Sequence, residues 1–157
     1  IDFVRSEFQL AIGEKTAEHL KIAVGSILPR DETLELSARG RDLVTGLPRE
    51  VTITDSDVRV AIAQSVDHII ESAKEVLETT PPEILGDVMH RGIYLVGGGA
   101  LLRGLPELLA ETLKLDVHLD PDPLTAVARG TGIILEHFND YQGVLVNEED
   151  DLPLKNN

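Results

Sequence analysis

The 157-residue chain has no cysteine and no tryptophan, and aromatic residues make up only 3% of it. Without cysteine there can be no disulfide and no thiolate metal site, which fits a reducing compartment. With three phenylalanines and two tyrosines, the core has to be aliphatic. No apolar run reaches the roughly 18 residues of a membrane-spanning helix, and no secretory pattern is visible. Positive charge is scarce: 14 Lys and Arg stand against 28 Asp and Glu, a net charge of -14. That balance argues against nucleic acid, whose phosphates would be repelled, and against adsorption to anionic lipid. An acidic surface then serves mainly solubility. What remains is ordinary for a folded protein, with 42% hydrophobic and 27% charged residues. The length suits one large domain or two small ones with a real core.

The first residues, IDFVRSEFQLAIG, carry neither a methionine nor a cap. Ile1, Val4, Phe8 and Ile12 fall on one helical face, so the chain reads as starting inside a helix that Gly13 stops. The expectation is a fragment or a processed product. A second helix follows through GEKTAEHLKIAVGS, with Ala17, Leu20 and Val24 on one face and Gly25 closing it. After a turn at Pro29, Leu34, Leu36 and Ala38 alternate with polar residues, as do Val51 and Ile53. This predicts two antiparallel strands joined by a long connection containing Gly40, Gly46 and Pro48. The strongest helix signal comes next. Thr54 or Asp55 can cap it, and Val58, Ile62, Val66, Ile69, Ala73 and Val76 form its stripe. Pro81 and Pro82 end it and open a short helix, PEILGDVMHR. From Gly92 the order is strand (GIYLV, read as buried), helix (LPELLAETLKL), strand (DVHL), helix (LTAVARGTGIILEHF). That is a βαβ unit with a parallel sheet, and the class is α/β. The tail, residues 144–157, is acidic and without periodicity, and reads as mobile.

Most named chemistry is excluded. The run Gly97-Gly98-Gly99-Ala100 lacks the Lys of a phosphate-binding P-loop, and Leu102 sits where a dinucleotide fingerprint needs its third glycine. The physics beneath those motifs survives. Glycines after a parallel strand leave backbone uncovered, and a following helix supplies free N–H groups. A planar base or a sugar could rest there, or the run could be a tight strand-to-helix turn; spacing alone leaves both open. His19, His68, His90, His118 and His137 form no ligand pair and read as surface or interface positions. Glu148, Glu149, Asp150 and Asp151 lack the spacing of a calcium loop. Neither a metal site nor a catalytic constellation is expected. Glu18 and Lys21 share a helix face, and on spacing alone they read as a surface ion pair.

Three stretches, IGEKTAEHLKIAVGS, PPEILGDVMHRGIYLVGGGALLRGL and DPLTAVARGTGIILE, resemble the MreB family of bacterial actin homologues in order and spacing. The resemblance runs from Ile1 to about Gly143. It implies the second half of an actin-like ATPase, or ribonuclease H-like, fold. Residues 1–28 and 81–143 would form an inner α/β subdomain, and residues 29–80 an inserted outer subdomain of hairpin plus long helix. The family's adenosine site maps onto Glu18, His19, Leu20 and Lys21 on one side and Gly97, Gly98, Gly99 and Ala100 on the other. Glu18 would lie near the ribose hydroxyls and Lys21 near the base. The cofactor implied is ATP, with Mg²⁺ and the phosphates held by a first half expected to precede Ile1. The chain alone is therefore not expected to hydrolyse ATP. The implied function is a cytoskeletal filament protein at the inner face of the plasma membrane that sets cell shape. Its implied partners are copies of itself, wall-synthesis proteins and membrane-anchored shape proteins. Membrane contact would come through the first half only. The alternatives are another actin-fold ATPase (a chaperone, a cell-division actin or a sugar kinase) and a non-catalytic interaction domain of the same fold.

Overall fold

The alternating pattern of residues 34–54 folds as a hairpin. In the computed structural model, which describes residues 1–144, β2 (Glu35–Asp42) and β3 (Pro48–Thr54) pair antiparallel from Glu35↔Thr54 to Arg41↔Pro48. Ala38 and Ile53 point to the covered face and are each 1% exposed, as a period of two dictates. The connection, Leu43 to Leu47, is shorter than expected because Gly40 belongs to β2. A Cβ on Gly40 would come within 2.3 Å of the Ala11 carbonyl oxygen. The missing side chain lets a third strand, β1 (Leu10–Ala11), close against β2. Here the structure departs from the expected first helix. α1 (Asp2–Phe8) stops four residues before Ile12, and Gln9 takes a left-handed conformation with φ 50°. Leu10 is fully buried in extended backbone. The helical spacing of Val4, Phe8 and Ile12 held no information about that pairing. α2 (Glu14–Val24) buries Leu20 and Val24 as expected.

α3 (Asp55–Thr79) begins in a capping box. The Thr54 hydroxyl accepts the Asp57 N–H at 3.2 Å, and the Asp57 carboxylate accepts the Thr54 N–H at 2.9 Å. Asp55, 4% exposed, accepts Arg59 Nη2 at 2.6 Å and the Leu34 N–H at 3.2 Å. Arg59 Nη2 also donates to the Leu28 carbonyl at 3.2 Å, so the loop before the hairpin is fastened to the first turns of α3. The buried stripe differs from the expected one. Val58, Val66 and Ile70 are buried, while Ile69 and Val76 are exposed. Four-residue steps advance about 40° beyond full turns, so the buried line winds around the helix. It winds because α3 serves two partners in succession. Val58 joins Val4, Leu10, Leu20, Val24, Ala38 and Ile53 in a first core, and Val66 and Ile70 join Leu105 and Leu109 in a second.

α4 (Pro82–Arg91) opens on Pro82 and ends at Gly92, φ 74°. β4 (Ile93–Leu95) and β5 (Val117–Leu119) are parallel, with α5 (Leu105–Leu113) between them and α6 (Ala126–Glu136) after them. This is the expected βαβ unit. The strand is not buried as expected: Tyr94 is 66% exposed, and α6 buries no residue. The sheet has two strands among the described residues. The acidic tail assigned to 144–157 lies outside the described residues beyond Val144. No described helix is long and apolar enough to cross a membrane.

The hairpin tip is shaped by one carboxylate. Asp42 accepts the N–H groups of Thr45 (2.7 Å) and Val44 (2.9 Å), the Thr45 hydroxyl (3.0 Å) and Arg49 Nη1 (2.9 Å). These bonds, led by the Thr45 N–H and then Arg49, lower its pKa to about 2. A depressed native pKa gives stability that is present above the unfolded value, near 4, and lost as pH falls towards 2. The amides of Val44 and Thr45 are therefore expected to lose hydrogen-exchange protection across that window. In Asp42→Asn they should be weakly protected at every pH. Unchanged protection in the variant would disprove the role of the carboxylate.

Candidate functional site

The glycine turn follows β4 after one residue, Val96. Gly97 has φ +82°, a conformation open to glycine at little cost, and its N–H donates to the Pro123 carbonyl at 2.7 Å. The next residues, Gly98–Leu101, form a 3-10 turn in which Ala100 is 6% exposed. The helix expected over LPELLAETLKL begins at Leu105, beyond Gly104 with φ +87°. The three glycines thus have different reasons. Gly97 is required by the backbone. A Cβ on Gly99 would meet nothing within 4 Å, and one on Gly98 would make ordinary contact with Leu124 Cδ2 at 3.4 Å. Tight packing explains neither Gly98 nor Gly99. Around them Val96, Leu101 and Leu124 are exposed. The result is bare backbone ringed by apolar side chains, a surface on which a flat apolar group can lie.

Glu18, His19, Leu20 and Lys21 sit midway along α2. Leu20 is buried in the first core, and His19 is exposed. Glu18 and Lys21 form the ion pair expected from their spacing, at 2.7 Å, with side chains 57% and 44% exposed respectively. Such a pair is worth a few tenths of a kcal/mol, so exchanging it for other partners costs little. Both residues rim a cleft of about 430 Å³ floored by Val4, Ile12, Ile53 and Val58. No residue of the glycine turn lines that cleft. The link between the two sets runs through the segment after the turn, where Arg103 Nη1 donates to the Ala23 and Gly25 carbonyls. Arg103, Gly104 and Pro123 escaped the sequence reading. The signals available were the glycine before an apolar helix and the Pro-rich turn after β5. The five histidines are exposed, as expected. No cluster of metal-binding side chains exists among the described residues.

Glycines held by geometry and glycines held by nothing internal should separate in stability. A Cβ on Gly104 would meet Leu28 Cγ at 3.0 Å and the Leu28 nitrogen at 3.1 Å, at a positive φ. Gly104→Ala is expected to destabilise by about 1–3 kcal/mol. Gly99→Ala should stay within about 0.5 kcal/mol of the parent in urea unfolding. Equal losses would mean that Gly99 serves the fold.

Comparison with known proteins agrees with this architecture. A family model described as MreB/Mbl protein matches residues 1–143. The cell shape-determining protein Mbl of Bacillus subtilis is 45% identical over 139 residues, which are 88% of this chain and 42% of Mbl. The cell shape-determining protein MreB of Escherichia coli K12 is 42% identical over 149 residues, covering 95% and 43% of the two chains. The chain therefore spans less than half the length of these relatives. Among solved structures, MreB 5 of Spiroplasma citri bound to AMPPNP superposes with a TM-score of 0.83 at 34% identity, over 92% of this chain and 44% of that one. The MamK double helical filament, at 24% identity and a TM-score of 0.67, shares the fold. The α/β fold expected for the second half of an actin-like protein is observed, and the chain belongs to the MreB/Mbl family.

Proposed function

We propose that this chain is the adenosine-facing part of an ATP-binding, filament-forming protein that sets bacterial cell shape. The observation that carries the reading is the uncovered backbone at Gly98 and Gly99, where a Cβ would meet only Leu124 or nothing. A purine base would lie flat there, with Leu124 and its apolar neighbours shielding it from water. On the side of α2, the Glu18 carboxylate would accept hydrogen bonds from ribose hydroxyls, and the Lys21 ammonium would donate to a ring nitrogen of the base. His19 and Leu20 belong to the same helical turn, Leu20 anchoring it in the core. Bound ATP would contribute the phosphate charge and a bond whose hydrolysis can reset assembly. The described residues provide no acidic cluster for Mg²⁺, so we assign phosphate and metal binding to other parts of a longer protein, in keeping with the length of the relatives. The Spiroplasma citri MreB 5 structures with AMPPNP and with ADP support the nucleotide reading.

The filaments would assemble from copies of this protein at the inner face of the plasma membrane. There they would organise wall-synthesis and membrane-anchored shape proteins. The net charge of -14 suits a part that does not itself touch anionic lipid. The side-chain clusters support drawing the outer unit around the first core. This departs from the expected division, which put residues 1–28 in the inner subdomain: α1, β1 and α2 would join the hairpin instead, and the inner unit would be built on the second core.

Sedimentation of the full-length gene product tests the reading. ATP-dependent pelleting is expected, and Gly98→Val should weaken ATP binding roughly tenfold or more. Residues 1–157 alone should show no ATPase above a Lys21→Ala, Gly98→Val control. A full-length protein that stays monomeric with and without ATP would instead favour a non-catalytic interaction domain.

A further inference from the structure

The end of α2 and the segment after the glycine turn exchange hydrogen bonds in an unusual way. In a continuing helix the Ile27 N–H would bond the Ala23 carbonyl. Here it donates to the Arg103 carbonyl instead, at 2.8 Å. The Arg103 side chain replaces the donor that Ala23 lost: its Nη1 donates to the Ala23 and Gly25 carbonyls, both at 3.1 Å. Ser26 and Arg103 form a parallel bridge beside these bonds. The C-terminal carbonyls of a helix carry partial negative charge, so a guanidinium is well suited to this end. Close packing completes the junction. A Cβ on Gly25 would collide with the Lys21 carbonyl oxygen, and Gly104 already sits against Leu28.

We infer that Arg103 is the positioning residue of the adenosine seat, fixing α2 with Glu18 and Lys21 against the turn Gly97–Ala100. The inference rests on the nucleotide reading above. Arg103 lies three residues beyond Ala100, and Lys21 lies one helical turn, about 6 Å, before Gly25. α2 belongs to the first core, and Leu105, just past the junction, belongs to the second. The two sides of the seat are therefore on different packed units. Arg103 is itself exposed, and its hydrogen bonds face competition from water, so its removal should leave the fold standing. What it removes is the restraint on rotation and distance between α2 and the turn.

The test is ATP titration with hydrogen exchange on the full-length gene product and on Arg103→Ala. In the wild type, ATP is expected to slow exchange at both Glu18–Lys21 and Gly98–Ala100. In Arg103→Ala, ATP affinity should fall about tenfold, within the range usual for coupled sites. Protection should persist at the glycine turn and disappear across Glu18–Lys21, a split that general destabilisation does not produce. If the variant binds and protects both segments like the wild type, or loses both together with a lowered Tm, the positioning role is wrong while the seat stands. If the wild type shows no ATP-dependent protection at either segment, the seat itself is wrong, and the role of Arg103 falls with it. Should Arg103→Ala fail to fold, Arg103→Gln, whose shorter, uncharged amide does not span the distance to the Ala23 and Gly25 carbonyls, carries the test with the same outcomes.

Discussion

One helix holds the two halves of this fold together. α3 is 25 residues long, and the distance from Val58 in the first core to Ile70 in the second is ~18 Å along its axis. Two small aliphatic cores, each too small to stand well alone, gain a common rigid support. The helix is tied firmly at its start, through the Thr54–Asp57 capping box and the Asp55–Arg59 pair with its bonds to the loop at Leu28 and Leu34. Asp55 is nearly buried, so its charge has to be matched, and Arg59 and a backbone N–H match it. The hairpin, α2 and the glycine-bearing segment take their relative places from this support.

The candidate site is made mostly of backbone. Its key property is the absence of side chains at Gly98 and Gly99, flanked by exposed aliphatic residues. Such a surface recognises shape and apolar area, and it leaves polar discrimination to the few charged groups on α2. It also needs its parts held at the right spacing, because a stacked ligand reports small displacements directly. The parts are 80 residues apart in the chain where Arg103 meets Ala23. That separation gives the junction between α2 and Arg103 its importance.

Local patterns were legible where one element faces one partner. α2, the hairpin register, the cap of α3 and the βαβ order all follow from spacing that a single face imposes. Patterns failed where partners change or lie far along the chain. The stripe of α3 was misread at Ile69 because the helix turns from one core to the other. β1 was invisible because Leu10 pairs with Asp42, across 32 positions, and two residues carry no period. Gly40 looked like loop punctuation, although its reason is the Ala11 carbonyl above it. In the site, the glycine run stood out by composition, while spacing alone made Glu18/Lys21 a surface ion pair and only the family resemblance gave it a site role. Arg103 did not, since an arginine before a glycine has no distinctive pattern.

The sequence by itself determined the aliphatic core, the α/β order, the acidic surface and the resemblance to the MreB family. The first three depend on residue type and short-range periodicity, and the resemblance on three stretches in the right order. Only the tertiary structure decided which glycine serves which purpose. Gly97 answers to its φ, Gly40 and Gly104 to neighbouring chain, Gly99 faces open space, and Gly98 has room for a Cβ beside Leu124. A glycine looks the same in every sequence context. Its reason lies in what surrounds the missing Cβ, and that is set by residues brought near it from elsewhere in the chain.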